Sequence, residues 1–307
     1  MNYIKVSEAA AKWNISARRV RILCEQNRIA GVIRKGNLYM IPDDAPKPSD
    51  ARSYAKKNPA KDYVPLLEQI DALKARLNQS RPLTPAEAEA FREVFLVENT
   101  YHSNAIEGNT LTMQETALVL QGITIDQKPL KDHLEIVGYK DAFVYVEELA
   151  KSKEPLTAFE LKRIHSLVLS DRPEDRGTFR RVKVRIAGAV TEPVEPYLIE
   201  TEVSKLLADF VLWTEKRHIV ESVALFHLRF ESIHPFIDGN GRTGRLLMNL
   251  QLIQNGLPPV SVKFADRRRY YDAFDAYAKE QDENPMIQLI GEAVVERLRQ
   301  MLDAIGK

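Results

Sequence analysis

The sequence predicts a mainly α protein: a helical bundle that projects one β-hairpin, preceded by a small head of helix, turn, basic helix and hairpin. Three observations carry this. From residue 63 to the C-terminus, apolar residues recur at helical spacing, as in Leu66, Leu67, Ile70, Leu73 and Leu77. Within the first 45 residues, two short helical patterns are followed by two short apolar runs flanking Lys35-Gly36. Beyond the head, the one clear period of two falls where Val182, Val184 and Ile186 alternate with Lys183 and Arg185.

In the head, residues 6–13 read as a helix with Ser7 as N-cap, and Asn14-Ile15 as a turn. Ser16 can cap a second helix, 17–27, carrying Arg18, Arg19 and Arg21, with Val20, Leu23 and Cys24 facing inward. Strands are expected at 29–33 and 37–41. The order makes a winged helix-turn-helix pattern over residues 1–45. Residues 1–40 hold eight Lys/Arg against two Asp/Glu, while the whole chain of 307 residues carries a net charge of only +1. A basic head on a mildly acidic body suggests that the head meets a polyanion.

Residues 46–62 read as a linker, because Pro46, Pro48 and Pro59 sit among Asp, Lys, Ser and Ala. The body spans 63–307. Its second helix starts after Thr84-Pro85, with proline at the first position, and is stopped by Gly108-Asn109. Thr112-Met113-Gln114-Glu115 is a capping box for the next. Further helices are expected near 132–150, 157–170, 200–213, 217–233, 242–255, 267–279 and 285–304. Gly188 marks the turn of the hairpin, and Pro193 and Pro196 follow it.

Cys24 is the single cysteine, so neither an internal disulfide nor a cysteine metal site is available. The first residues lack the apolar core of a secretory signal, and no apolar run approaches the roughly 18–20 residues that span a bilayer. The sequence therefore implies a cytoplasmic protein with no membrane partner.

The chemistry concentrates in His234-Pro235-Phe236-Ile237-Asp238-Gly239-Asn240-Gly241-Arg242-Thr243-Gly244-Arg245. Gly239 and Gly241 let consecutive N–H groups face one concavity, which opens onto a helix N-terminus that favours anions. Arg242 and Arg245 lie three apart and can reach one polyanion. Asp238 is a hard oxygen donor of the kind Mg²⁺ on a polyphosphate takes. His234 can exchange a proton near neutrality and so serve as a general base. Each residue taken singly also has a plain reading: a capping histidine, a Gly-Asn-Gly turn, a solvated arginine face. Their conjunction within twelve residues favours the chemical one.

These twelve residues resemble, without a departure, the signature loop of the Fic family, and the likeness extends over about 63–280. The resemblance implies a Fic-type helical bundle with a flap hairpin, and AMP transfer from Mg-ATP to a Ser, Thr or Tyr hydroxyl of a protein. It implies that His234 deprotonates the target hydroxyl and that Asp238 holds Mg²⁺ between the α- and β-phosphates. Gly239, Asn240 and Gly241 would cradle the phosphates, with Arg242 at the β-phosphate and Arg245 at the γ-phosphate. Phe236 would anchor the loop in the interior. Gly177-Thr178-Phe179-Arg180 and the hairpin 182–195 look like the flap, whose free edge could take an extended target by β-augmentation or merely cover the site. Tyr270 and Tyr271 resemble an aromatic pair near the nucleotide; core packing with Phe274 and Tyr277 explains them equally well.

Ser103-Asn104-Ala105-Ile106-Glu107-Gly108 fits the family's inhibitory pattern, in a helix near 95–108 that lies upstream of the loop. Glu107 can form a bidentate pair with Arg245, withdrawing it from the γ-phosphate and repelling that phosphate. Otherwise Glu107 is a surface residue near a helix end. Residues 5–45 resemble excisionase- or MerR-type winged helix-turn-helix domains through Val6-Ser7-Glu8-Ala9-Ala10, Ile15-Ser16, Val20-Arg21 and Gly31. That likeness implies DNA contacts by Arg18, Arg19 and Arg21, or else a docking or dimerisation module, and a homodimer would give one small head useful DNA affinity. Two other functions stay open: a DNA-binding regulator whose body senses nucleotide or dimerises, and a Fic enzyme of other chemistry (UMP transfer, de-AMPylation or phosphorylation). The target protein is not legible.

Overall fold

The computed structural model describes residues 3–13, 16–25, 29, 31–35, 38–43, 45, 62–152, 154–185 and 192–306; for Arg18, Arg19, Ile22, Glu25 and Lys35 it describes the backbone alone. The linker expected at 46–62 lies, but for Asp62, outside these residues. The chain divides into two compact units, Met1–Ala60 and Lys61–Lys307.

In the first unit, strand β1 (Tyr3–Lys5) precedes helices α1 (Val6–Trp13) and α2 (Ala17–Glu25) and strands β2 (Ile33–Lys35) and β3 (Leu38–Pro42). The strands form one antiparallel sheet in the order β1-β3-β2, with Ile4 opposite Ile41 and Arg34 opposite Tyr39. Trp13, Val20, Leu23, Cys24, Ile29 and Ile41 close the core beneath it, so the inward residues of the basic helix are those its spacing predicts. Three boundaries differ from expectation. Helix α1 begins at Val6, one residue before Ser7, because the Lys5 N–H donates to the Glu8 carboxylate at 2.7 Å and caps the helix there. Ile29 is buried but outside any strand, and strand β2 starts at Ile33. Strand β1 is three residues long and pairs across more than thirty residues, so it leaves no local signal.

The second unit is helical: α3 (Val64–Gln79), α4 (Pro85–Ile106), α5 (Met113–Leu120), α6 (Leu130–Ser152), α7 (Ala158–Val168), α8 (Ile199–Thr214), α9 (Ile219–Ile233), α10 (Asn240–Gln254), α11 (Arg267–Glu280) and α12 (Asn284–Ile305). Thr84 and Thr112 open α4 and α5 through full capping boxes with Glu87 and Glu115. The hairpin expected at 182–195 is not a strand pair in its described part. Residues 182–185 and 192–195 carry no strand, and the turn at Gly188 lies outside the described residues. Arg180 and Lys183 tie the two arms together through Val194 and Glu195, with side chains in place of ladder bonds.

Helices α9 and α10 are buried on almost every side, as the deepest helices of a bundle are. One apolar cluster joins Leu67 and Ile70 of α3 and Ile287 and Ile290 of α12 to Val223 and Leu228 of α9. The other joins Tyr139 and Phe143 of α6 and Ile164 of α7 to Phe230 of α9 and Leu247 of α10. Each fully buried leucine or phenylalanine contributes roughly 1.5–3 kcal/mol, so the hairpin of α9 and α10 is held from both sides. The loop 234–239 joins these two helices and inherits their rigidity. Among the described residues, no helix is long and apolar enough to cross a membrane.

Candidate active site

The loop leaves α9 through His234, which takes a left-handed backbone conformation with φ 49° and ψ 61°. Its N–H still bonds the Phe230 carbonyl at 2.9 Å, so the helix ends on the histidine itself. Phe236 turns inward and is fully buried. Asn240 then closes the turn. Its Oδ1 accepts from the Phe236 N–H and its Nδ2 donates to the Phe236 carbonyl, both at 2.9 Å. The Asn240 side chain is thus buried and spent on the loop, and its backbone N–H is what remains for the expected phosphate cradle.

Gly239 ends the turn in the left-handed region at φ 73°, and α10 starts at once. The N–H groups of Asn240, Gly241 and Arg242 are first-turn donors that α10 cannot satisfy internally. A carboxylate already faces this end: a Cβ on Gly241 would overlap Glu107 Oε1. Glycine at 241 thus leaves room for an anion directly against the helix start.

Glu107 caps the end of α4, its own N–H bonded to the Asn104 carbonyl at 3.0 Å. Its Oε1 lies 2.8 Å from Arg245 Nη2. The pair is single-pronged, a correction to the bidentate geometry expected. The rest of the guanidinium is engaged elsewhere: Nε donates to Ser103 Oγ and Nη2 to the Ser103 carbonyl, each at 2.8 Å, and Nη1 meets the Tyr270 hydroxyl at 3.3 Å. Arg245 is 2% exposed. Burial disfavours its charge, but Tyr270, Glu107 and Tyr139 outweigh this and raise its pKa. Arg242 is buried as well, with Nη1 3.1 Å from Glu135 and Nη2 3.6 Å from Asp238. The two arginines flank the first turn of α10, each already pinned.

Asp238 is partly exposed, with Oδ1 taking the Gly239 N–H at 2.6 Å and Oδ2 3.4 Å from Arg172. Burial pushes its pKa up, yet Arg242, the Gly239 N–H and Arg172 together hold it below the usual range, so it is ionised at neutral pH. Among the described residues, no three His, Cys, Asp or Glu side chains converge to hold a metal. One ionised carboxylate fits a magnesium ion that draws its other ligands from phosphates and water.

Sequence reasoning missed three supports. His165, from α7, stacks on Phe236 with ring centres 3.6 Å apart. Its Nδ1 accepts from the Gly177 N–H and its Nε2 faces the Asp238 carbonyl, both at 2.9 Å. These partners fix one neutral tautomer, which donates from Nε2. Buried Arg180 binds the loop from the other side, with Nε donating to the His234 carbonyl at 2.7 Å and its N–H to the Pro235 carbonyl at 2.9 Å. Glu231, one turn before His234, is the third. Of the aromatic pair, Tyr270 is core, its hydroxyl 2.7 Å from His227 Nε2, while Tyr271 is 47% exposed. Arg21 is exposed; the side chains of Arg18 and Arg19 lie outside the description.

Residues 155–252 match the Fic/DOC family model, and the loop lies wholly within them. This stretch is a Fic domain. The chain is 33% identical over 267 residues to a protein adenylyltransferase Fic of Drosophila erecta, covering 82% of this chain and 52% of that protein. It is 34% identical over 257 residues to one of Nematostella vectensis, covering 79% of this chain and 58% of that protein. The chain thus spans about half the length of the curated relatives it matches. Its fold is similar to that of a Fic-domain signalling protein from Bacteroides thetaiotaomicron, with TM-score 0.70, 27% identity, and coverage of 78% of this chain and 98% of that one. Fic-1 of C. elegans superposes at TM-score 0.68 with 27% identity over 78% of this chain and 72% of that one. Glu107 and Tyr270 stand outside the matched Fic residues, so their contacts with Arg245 are a feature of how α4 and α11 pack on the domain.

Buried imidazoles give the body an acid sensitivity. Burial pulls His165 and His234 down to about 4 and His227 to about 3, against 6.5 unfolded. A lowered folded pKa means stability is present above 6.5 and lost as pH falls toward 4. Each imidazole then costs on the order of 2 kcal/mol between pH 7 and pH 5. Burial raises Glu231 to about 8, which works the other way and offsets one of the three. Thermal melting of the body is expected to drop between pH 7 and pH 5; an unchanged melting temperature would mean that these rings protonate freely in the fold.

Proposed function

We propose that the chain is a self-inhibited protein adenylyltransferase that moves AMP from Mg-ATP to a Ser, Thr or Tyr hydroxyl of a protein, itself included. The observation that carries this is the carboxylate of Glu107 seated over the start of α10 and bound to Arg245. A nest shaped for an anion is filled by a tethered one.

With Glu107 withdrawn, the turn at Gly239 presents the N–H groups of Asn240, Gly241 and Arg242, and these bind the phosphates with the guanidiniums of Arg242 and Arg245. Asp238 would hold a magnesium ion, which when bound would supply charge neutralisation at the phosphates. His234 is neutral at pH 7, so its imidazole can take the target's hydroxyl proton. The oxygen attacks the α-phosphorus in line, the bond to the β-phosphate oxygen breaks, and pyrophosphate leaves. Catalysis rests on positioning and charge, since the loop is fixed by Asn240, His165 and Arg180 before substrate arrives. Incubation of the Glu107→Gly chain with ATP labelled at the α- or the γ-phosphate tests it. Label in protein from the α-position alone is expected; label from γ alone would indicate phosphoryl transfer and overturn the assignment.

We further propose that the head is a winged helix-turn-helix domain that binds DNA through Arg18, Arg19 and Arg21, as a homodimer in the cytoplasm. The net charge of its first forty residues and the exposure of Arg21 support this. Gel shifts with random duplexes should show binding that weakens steeply between about 50 and 200 mM salt. Arg21→Ala should weaken it across all sequences; salt-independent or absent binding would leave the head as a docking module.

A further inference from the structure

We infer that Glu231 is a positioning residue for His234: it accepts the Nδ1–H of the imidazole, aiming the free Nε2 at the target hydroxyl. This rests on the adenylyltransferase reading above.

Glu231 lies on α9 three residues before His234, and its Oε2 stands 3.7 Å from His234 Nδ1. Both groups are sequestered: the two side chains are 13% and 18% exposed. His234 Nδ1 and Glu231 Oε1 are buried without a well-formed hydrogen bond among the described residues, the imidazole having the Glu231 backbone carbonyl as well as its carboxylate in reach. A buried donor–acceptor couple left this close is costly unless it closes in the working state. Closing it to hydrogen-bond length takes a movement of about 0.5–1 Å between Nδ1 and the carboxylate. Gly244 makes the room, since a Cβ there would collide with Glu231 Oε1 and the His227 ring. No other carboxylate stands within ion-pair range of His234 Nδ1 among the described residues.

The charged and titratable groups facing Glu231 are His227 and His234 from its own side, Glu107 of α4, Arg245 of α10, and Tyr270 and Tyr271 of α11. Burial and then Glu107 favour its protonated form, while Arg245 favours the carboxylate. Departure of Glu107 removes a neighbouring negative charge, and Arg245 promotes ionisation. The carboxylate then takes Nδ1–H, and His234 Nε2 receives the target proton. The Nδ1 proton stays on the ring throughout, held by the carboxylate, which stabilises the imidazolium.

The test uses the full chain carrying Glu107→Gly as parent, with Glu231→Gln, Glu231→Asp and Glu231→Ala added singly. Glu231→Gln is expected to lower kcat on the order of 100-fold, the low end of what a positioned base contributes. KM for ATP and the melting temperature should stay near the parent's. The parent's rate should rise with pH through the ionisation of Glu231, and that limb should vanish in Glu231→Gln. Glu231→Asp should recover part of kcat and Glu231→Ala none. A Glu231→Gln chain with the parent's kcat and pH profile overturns the inference. So does an equal loss in kcat for all three variants accompanied by lower melting temperatures, which marks a packing role. A parent that transfers no AMP refutes instead the function on which the inference stands.

Discussion

Glu107→Gly is expected to raise AMP incorporation on the order of 100-fold over the unmutated chain, the effect of removing a few kcal/mol of competing charge-pair interaction. The carboxylate holds Arg245 from one side and covers the start of α10 from the other. A γ-phosphate arriving there meets repulsion and an occupied cation. Truncation at 107 removes both obstacles and little else: Ser103 still grips Arg245 through two hydrogen bonds, so the guanidinium stays in place. The backbone N–H of residue 107 continues to cap α4. Glu107→Gln separates charge from shape. It should activate part of the way, because the amide no longer repels phosphate yet still fills the nest. Radiolabel from α-labelled ATP reads both. Equal incorporation by all three chains would remove Glu107 as a brake.

Removal of the imidazole is the second large effect. In the Glu107→Gly background, His234→Ala should cut transfer by about 10²–10⁴-fold, the range of general-base catalysis. ATP affinity should hold, since the phosphate-binding N–H groups and arginines are on α10 and the magnesium ligand is Asp238. The left-handed backbone at 234 complicates alanine, because His, Asn and Asp take that conformation more readily than alanine does. His234→Asn tolerates it better and should be equally inactive while melting closer to the parent. Retained transfer in both variants would assign the base elsewhere; loss of ATP binding in both would indicate a collapsed loop.

What the sequence disclosed was local. The capping box at Thr112, proline at the start of α4, the stop at Gly108 and the inward register of Val20, Leu23 and Cys24 each depend on neighbours a few residues away. The site loop was legible for the same reason: its glycines, base, carboxylate and arginines sit within twelve residues, and the helix that follows aims them. The supports were not legible. His165 reaches Asp238 across 73 positions and Arg180 reaches His234 across 54, and neither spacing leaves a periodic trace. A histidine and an arginine beside apolar residues in helical or coil segments look like any others until packing brings them to the loop. Nor does the sequence reveal that the Asn240 side chain closes the turn by bonding both the N–H and the carbonyl of Phe236. The single-pronged Glu107 contact was equally hidden, since Ser103 takes a share of Arg245 that only the packed helices determine. The strand β1 and the absence of a ladder in the described arms of the flap have one cause: pairing partners far apart in sequence or replaced by side-chain ties.

The spatial claim beneath the proposed chemistry is that the turn into α10 wraps a triphosphate whose innermost phosphorus lies beside the His234 imidazole. A crystal structure of the Glu107→Gly chain with magnesium and a non-hydrolysable ATP analogue measures this directly. The expected density has the outer phosphates on the N–H groups of residues 240–242, Asp238 on the metal, Arg245 on the terminal phosphate and the imidazole edge facing the α-phosphorus. Analogue bound elsewhere, or bound here with the imidazole turned from the α-phosphorus, would contradict it.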